Sequence, residues 1–204
     1  YAAGELSKVD ALRRELLANL SHDLRTPLTM IEGYAEVMRD LPGENTPENV
    51  QIIIDETQRL TNLVNDLLDL SKLEAGVVPL DKTRFNLTDS IRQTLKRYDK
   101  LADYRFPFYA DRDVFVTADE LRISQVVYNL VNNAITYAGA DKTITLRQTV
   151  GDGMVRISVT DTGEGIPADK LRDIWQRYYK VDKSHKRAQT GTGLGLSIVK
   201  NVMD

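Results

Sequence analysis

The sequence predicts a multidomain chain, in which an all-α helical hairpin that forms a dimeric four-helix bundle is followed by an α/β sandwich. Apolar residues recur at helical spacing over the first 76 residues, and beyond residue 83 short runs of alternating polarity interleave with helical patterns. The 204 residues, 42% hydrophobic and 28% charged, are enough for a substantial core. We therefore place the domains at residues 1–76 and 83–204, with a linker at 77–82 that contains a proline.

The first domain is predicted to be two helices joined by a short loop. One helix covers residues 6–41 and is ended by Leu41-Pro42-Gly43. The other begins at Pro47, a residue type favoured in the first helical turn, and ends near Gly76. Its apolar stripe is too wide for one partner helix to cover, so we expect a homodimer. A monomer whose hairpin packs against the second domain is the alternative.

One histidine of the first helix is predicted to face away from the hairpin core. The apolar residues cluster in a band of about 60°, and His22 falls about 160° from its middle, with Thr26 beside it. The band consists of Leu17, Leu20, Leu24, Leu28, Ile31, Ala35 and Met38. Pro27 has no N–H, so the carbonyl of Asp23 loses its helical partner next to the imidazole. These neighbouring residues favour an imidazole that is exposed for a functional contact. The alternative is an ordinary polar residue that faces solvent.

The second domain is predicted to be one sheet covered on one face by helices. Strands are expected at residues 84–87, 105–110, 114–117, 143–150 and 154–160, the last two as a hairpin around Gly151-Asp152-Gly153. Helices are expected at residues 88–103, 119–137, 167–176 and 194–203, with a polar and basic loop at 177–192.

Composition excludes several classes of function. The net charge of −3 indicates neither a nucleic-acid-binding surface nor a membrane-binding one. The sequence has no cysteine and two histidines, which excludes disulfides and disfavours zinc, so any metal should be a hard cation bound by oxygen. No membrane span or signal peptide is visible. Because the chain starts without an initiator methionine, inside a helical pattern, we expect an excised fragment of a longer protein, with sensor or membrane-anchoring segments upstream.

Two asparagines one helical turn apart form the first candidate binding motif. Asn129 and Asn133 share a helix face, with Tyr137 one turn further on. Paired carboxamides can offer an oxygen to a divalent cation and nitrogens to phosphate oxygens. The alternative is structural, since asparagines at this spacing are common and Tyr137 would then cap the core.

Two glycine-containing motifs follow. In Asp161-Thr162-Gly163-Glu164-Gly165-Ile166, the glycines allow the backbone to approach a flat ligand, and Asp161 can accept a hydrogen bond from an exocyclic amine. The motif Gly191-Thr192-Gly193-Leu194-Gly195-Leu196 opens the last helix, where a helix N-terminus suits phosphate. An ordinary turn and a flexible hinge are the respective alternatives.

In this order and spacing, the motifs closely resemble those of a sensor histidine kinase of two-component systems, over nearly the whole chain. His22-Asp23-Leu24-Arg25-Thr26-Pro27-Leu28 is similar to the family's phosphoacceptor box. The stretch from Gln125 to Ala134 is similar to its N box, and the two glycine motifs are similar to its G boxes. The resemblance implies a dimerisation and histidine-phosphotransfer hairpin followed by an ATP-binding domain of the Bergerat type.

The implied reaction is autophosphorylation of His22 with ATP and Mg²⁺, followed by transfer to an aspartate in the receiver domain of a response regulator, in the cytoplasm. Asp23 would orient His22 and accept its proton. Thr26 matches the position that holds a water when such enzymes dephosphorylate their regulators.

The resemblance also implies a nucleotide site. Asn129 would ligate Mg²⁺, Asn133 would contact phosphate, and Asp161 would bind the adenine amine. The other implied ATP-binding residues are Tyr137, Gly163, Gly165, Ile166, Gly191, Thr192, Gly193, Leu194, Gly195, Leu196 and Lys180, which lies in the expected lid at 177–192.

Some features depart from the family pattern. Trp175 and Tyr178 stand where phenylalanines are usual, so aromatic packing is kept. The chain ends at Asp204, before the strands that complete the family's sheet, so we expect an exposed edge and weaker nucleotide binding.

Three other functions are alternatives to histidine phosphorylation. ATPases of this fold place a glutamate where this chain has Gln125, which cannot act as a base, so ATP hydrolysis is disfavoured. A kinase of serine or threonine would leave His22 unexplained. A dimeric scaffold that binds nucleotide or a regulator without kinase activity is the remaining alternative.

Overall fold

The structure is a computed structural model that describes residues 2–74, 79–177, 179 and 193–204. The chain divides into two compact units, Tyr1–Asp69 and Leu70–Asp204. In chain order the elements are α1 (Ala2–Asp40), α2 (Pro47–Glu74), β1 (Thr83–Asn86), α3 (Leu87–Lys96), β2 (Phe108–Ala110), β3 (Phe115–Ala118), α4 (Glu120–Tyr137), β4 (Thr145–Gly151), β5 (Met154–Thr160) and α5 (Gly195–Met203).

The first unit is the predicted helical hairpin. Helix α1 ends before Leu41, and Gly43 turns the chain with a φ of 89°, in the left-handed region that glycine tolerates best. Thr46 then caps α2, because its Oγ1 accepts a hydrogen bond of 3.2 Å from the amide of Asn49. Pro47 occupies the first position of α2, where its missing N–H costs no helical bond.

Helix α1 continues without interruption through Pro27, which is buried. Leu28 is 53% exposed and Ala35 is exposed as well, so these two members of the predicted apolar band are not covered within the single chain. The reason is geometric, since one neighbouring helix covers only one strip of α1. In the part of the chain that the structure describes, every helix is too short or too polar to form a transmembrane segment.

The second unit has an α/β architecture, as predicted, but its strands form two sheets rather than one. Strands β1 and β3 pair antiparallel. The other sheet has the order β2-β4-β5, with β2 parallel to β4 and β4 antiparallel to β5. The predicted hairpin is confirmed: Asp152 and Gly153 have φ angles of 52° and 73°, which fit the two-residue turn that joins twisted strands.

Helices α3 and α4 pack against each other, and α4 also packs against α5 and β5. The caps of α3 and α4 are the side chains of Asn86 and Asp119, which accept hydrogen bonds from the amides of Asp89 and Arg122. One cluster of the buried core consists of Phe85, Leu87, Ile91, Tyr98, Val127, Val131, Ala134, Ile144 and Leu146. Leu194 and Ile198 are fully buried as well.

Helix α3 ends at Lys96, seven residues before the predicted end at residue 103. Tyr98 is 7% exposed, and its hydroxyl donates a 2.9 Å hydrogen bond to Oδ1 of Asn132. Beyond Lys96 the backbone continues in turns whose hydrogen bonds join residues three apart. The strand predicted at residues 105–110 is also shorter, because Pro107 lacks an amide donor; Arg105 keeps only an isolated bridge to Thr143.

The helix predicted at residues 167–176 is wrong. The segment forms successive turns whose hydrogen bonds mostly join residues three apart, such as Lys170 to Pro167 and Gln176 to Asp173. Leu171 and Trp175 are 47% and 39% exposed. Since a short helix is stabilised mainly by burial of an apolar face, this segment lacks what would hold a helix.

Candidate functional site

His22 is on the exposed side of α1, as predicted. Its side chain is 80% exposed, and its Nδ1 lies 3.6 Å from Oδ1 of Asp23, whose side chain is 19% exposed. The distance is too long for a hydrogen bond, but it is short enough for the carboxylate to stabilise positive charge on the ring. The first unit thus offers an accessible imidazole next to a partly shielded carboxylate.

Thr26 lies one turn after His22 and is also exposed. Its Oγ1 donates a 3.1 Å hydrogen bond to the carbonyl oxygen of His22. The threonine hydroxyl and the imidazole therefore belong to the same exposed face of α1, although the hydroxyl is engaged by the helix backbone.

Helix α4 carries the paired asparagines. Asn129 is buried at 9% exposure, and Asn133 is half-buried one turn further on. Among the described residues, the Asn129 Nδ2 is a buried donor without a hydrogen-bond partner. An unpaired buried amide costs about 1–3 kcal/mol. A buried donor without a partner in the protein indicates a position where a ligand group would accept its hydrogen bond.

The first glycine motif packs against the end of α4. The amide of Gly163 donates a 2.8 Å hydrogen bond to Oδ1 of Asp161, which closes a turn on the aspartate side chain. A Cβ at Gly163 would overlap the carbonyl oxygen of Tyr137, the last residue of α4. Only glycine therefore permits this approach, and it brings Asp161 and Tyr137 together.

Other residues of this motif remain accessible. Tyr137 is 43% exposed, and partial burial of its ring raises the pKa of its phenol. Gly165 has a φ of 77°, and Ile166 is 40% exposed. The site thus combines a carboxylate, a phenol and an exposed apolar side chain, a mixture suited to a flat heteroaromatic ligand.

The second glycine motif lies next to Asn129. Gly193 has a φ of 69°, Leu194 is fully buried, and α5 begins at Gly195 without a side-chain cap. A Cβ at Gly195 would lie 3.7 Å from the Asn129 Oδ1, so the start of α5 is in contact with the asparagine. Leu196 is half-buried. The predicted residues Lys180, Gly191 and Thr192 lie outside the described residues, as does most of the loop expected at 177–192.

Asp141 lies beside the first glycine motif, although nothing in the sequence distinguishes it from an ordinary turn residue. The hydroxyl of Thr162 donates to its Oδ1 and holds the pKa of the carboxyl below its usual value. No local sequence motif predicts this contact, because it joins residues of two loops that lie 21 positions apart in the chain.

The described part of the chain contains no group of three or more histidine, cysteine, aspartate or glutamate side chains that could hold a metal ion. A cation here would rely on amide and nucleotide oxygens, which suits Mg²⁺ because it commonly keeps few protein ligands. Asn129 fits this role, since rotation of its amide by about 180° exchanges the unpaired nitrogen for the oxygen.

Two family models match the chain. Residues 12–76 match the His Kinase A phospho-acceptor domain, and residues 118–204 match the family of histidine kinase-, DNA gyrase B- and HSP90-like ATPases. The catalytic domain of histidine kinase ThkA is 32% identical, with a TM-score of 0.53 over 60% of this chain and 79% of that one. The chain belongs to the sensor histidine kinases of two-component systems. The predicted family is thereby confirmed, and the second unit contains an ATP-binding domain of this type.

This histidine kinase chain is similar to other sensor histidine kinases over most of its residues. It is 34% identical to the sensor histidine kinase WalK of Bacillus subtilis over 100% of this chain and 34% of the relative. Histidine kinase AdeS of Acinetobacter baumannii is 26% identical, with a TM-score of 0.72 over 89% of this chain and 85% of that one. ThkA in complex with response regulator protein TrrA is 29% identical, with a TM-score of 0.69 over 85% of this chain and 53% of that one. The chain thus spans about a third of the length of its curated WalK relative.

Proposed function

We propose that this chain transfers the terminal phosphoryl group of ATP to His22 and then to an aspartate in the receiver domain of a response regulator. The observation that carries the proposal is the 80% exposed imidazole beside the Asp23 carboxylate. It lies within residues 12–76, which match a phospho-acceptor domain. The acceptor is supported by ThkA, whose structure was solved with a response regulator protein.

We assign different roles to the two ring nitrogens of His22. Nδ1 faces Asp23, so the carboxylate favours a proton on Nδ1 and leaves the lone pair of a neutral imidazole on Nε2. A bond forms from Nε2 to phosphorus while the bond from phosphorus to the bridging oxygen of ADP breaks. Asp23 stabilises the positive charge that develops on the ring and then accepts the Nδ1 proton.

The second unit would hold the nucleotide. We assign Asn129 to Mg²⁺, Asn133 to phosphate oxygens and Asp161 to the adenine amine, and Mg²⁺ would neutralise charge on the phosphates. The unpaired Asn129 amide supports this assignment. The further proposed binding residues are Tyr137, Gly163, Gly165, Ile166, Lys180, Gly191, Thr192, Gly193, Leu194, Gly195 and Leu196.

Gln125 supports phosphoryl transfer to a side chain rather than to water. It lies one turn before Asn129, and its Oε1 accepts a 3.2 Å hydrogen bond from Nη1 of Arg122. A neutral amide cannot take a proton from an attacking water, so hydrolysis of ATP lacks a base at this position.

The hairpin would act as a homodimer. Leu28, Ile54 and Leu68 are each more than half exposed in the single chain, which is costly unless a second hairpin covers them. The proposed domains are residues 1–76 and 83–204 with a linker at 77–82. Because ATP is the phosphoryl donor, the chain would work in the cytoplasm.

Incubation of the chain with Mg²⁺ and ATP labelled in its terminal phosphate tests the proposal. We expect an acid-labile label that maps to a peptide containing His22 rather than His185. His22→Ala should abolish it, whereas the exposed control variant Glu32→Ala should retain it. Nucleotide binding without any label in the parent chain would instead favour a scaffold.

We further propose that Thr26 supports dephosphorylation of the regulator. Its hydroxyl is exposed one turn from His22, and release of its bond to the His22 carbonyl would free it to hold a water. Thr26→Ala should slow loss of phosphate from a phosphorylated regulator about tenfold while autophosphorylation stays intact. Loss of both activities together would contradict a separate role.

A further inference from the structure

The turn that begins at Asp161 is held against the residues that follow α4. A Cβ at Gly139 would overlap the carbonyl oxygen of Thr162, and a Cβ at Gly163 would overlap that of Tyr137. Two glycines, one on each segment, therefore let the backbones meet directly. The position of Asp161 depends on how this junction is fixed.

A hydrogen bond between side chains closes the junction. Thr162 Oγ1 donates to Oδ1 of Asp141. Asp141 is itself tied to the start of the neighbouring sheet, because its Oδ1 lies 3.4 Å from the amide of Thr143 and its carbonyl accepts a 3.2 Å bond from Thr143 Oγ1. The Asp141 carboxyl is charged at neutral pH, and the Thr162 hydroxyl holds its pKa below the usual value, so the bond has a charged acceptor.

We propose that Asp141 is a positioning residue for base recognition, which acts through Thr162 to hold Asp161 where it accepts from the exocyclic amine of adenine. This inference rests on the proposed nucleotide site. It goes further by assigning to Asp141, which would act through its contact with Thr162, control over which base is accepted.

The chemistry of the bases makes the role measurable. Oδ1 of Asp161 is already engaged by the Gly163 amide, which limits rotation of the carboxylate. Adenine presents an amine donor where guanine presents a carbonyl acceptor, so a carboxylate held in place favours adenine and repels guanine. When the turn is released, the preference for adenine should fall.

Calorimetric titration of the whole chain with Mg²⁺ and either ADP or GDP tests this, because neither nucleotide can phosphorylate His22. Thr162→Val, which removes the donor, and Asp141→Ala, which removes the acceptor, should each weaken ADP binding about tenfold and leave GDP binding unchanged or stronger. The double variant should be no weaker than either single variant, since both changes remove one contact. Thr162→Ser, which keeps the hydroxyl, should restore ADP binding.

Thr160→Val is the matched control, since this threonine is exposed two residues earlier, and it should bind as the parent does. Equal losses for ADP and GDP would show a merely structural role and overturn the inference. Failure of Thr162→Ser to rescue, or a parent chain that binds neither nucleotide, would overturn it too. A chain that prefers ADP through Asp141 but never labels His22 would instead contradict only the proposed phosphotransfer.

Discussion

The two units of this chain differ in where their apolar side chains go. Among the described side chains of the hairpin, Pro27 and Leu63 are buried. Leu28 and Ile54 are each 53% exposed. In the described part of the second unit, nine buried apolar side chains from helices and strands form one cluster, although Leu121 and Met154 remain 82% and 69% exposed. A unit that buries its own apolar surface can fold alone, whereas one that exposes it depends on a partner. The proposed nucleotide site and the proposed phosphoacceptor thus lie on units with different requirements for stability.

The largest effect in this comparison is expected from a substitution that leaves a cavity in the core of the second unit. Ile144 is fully buried, so Ile144→Ala should lower the free energy of unfolding of this unit by about 4 kcal/mol, through lost contacts and a residual cavity. Denaturant unfolding should give the same midpoint at two protein concentrations tenfold apart. The exposed control Thr149→Ala should change little. A midpoint that moves with concentration would contradict a self-sufficient unit.

A charge placed on the hairpin should instead weaken the association of two hairpins into a dimer. Leu28→Glu places a carboxylate where we expect a second hairpin, which should weaken the dimer by about 3 kcal/mol, roughly a hundredfold in the dissociation constant. Sedimentation equilibrium measures the shift. Thr29→Glu adds the same charge at the next exposed position and should leave the dimer intact. Equal dissociation by both variants would show that charge alone, not the covered face, is responsible.

The same difference explains which features could be predicted from sequence. Features fixed by neighbouring residues were predictable: Pro42 and Gly43 end α1, Pro47 starts α2, and Asp152-Gly153 closes the hairpin of β4 and β5. The exposure of His22 follows from helical periodicity alone. These signals are local, so no knowledge of the fold is needed to read them.

Features fixed by distant contacts could not be predicted. Helix α3 stops at Lys96, and just beyond its end Tyr98 bonds to Asn132, 34 residues away. The contact between Thr162 and Asp141 likewise joins separate loops. Helix propensity and residue spacing contain no information about such pairs of distant residues. The candidate motifs could therefore be found in the sequence, whereas the contacts that hold them in place could not.

A buried polar contact should have a smaller effect than the cavity. Thr88 is fully buried; its Oγ1 donates to Oε1 of Gln148 at 3.1 Å and accepts from the amide of Val114 at 3.0 Å. Thr88→Val leaves both partners unsatisfied and should cost about 2 kcal/mol in unfolding free energy.

The matched control for Thr88→Val is Thr94→Val, whose buried hydroxyl bonds only within its own helix, to the carbonyl of Ser90. We expect this control to cost less than about 1 kcal/mol, because no partner on another element is left unpaired. Equal costs for the two variants would mean that the contact between α3 and β4 contributes nothing specific to the second unit.

The smallest effect is expected at the contact just beyond the end of α3. Tyr98→Phe removes the bond to Asn132 and should cost about 1 kcal/mol at neutral pH. Burial raises the pKa of the Tyr98 phenol, so above pH ~10 the unfolded chain releases a proton that the folded chain retains. Stability of the parent should therefore fall as pH rises through this range, and the advantage of the parent over Tyr98→Phe should shrink. Tyr109→Phe, at a 52% exposed tyrosine, is the matched control and should be about as stable as the parent at neutral pH. A constant difference between parent and Tyr98→Phe from pH ~8 to ~11 would contradict a buried, hydrogen-bonded phenol.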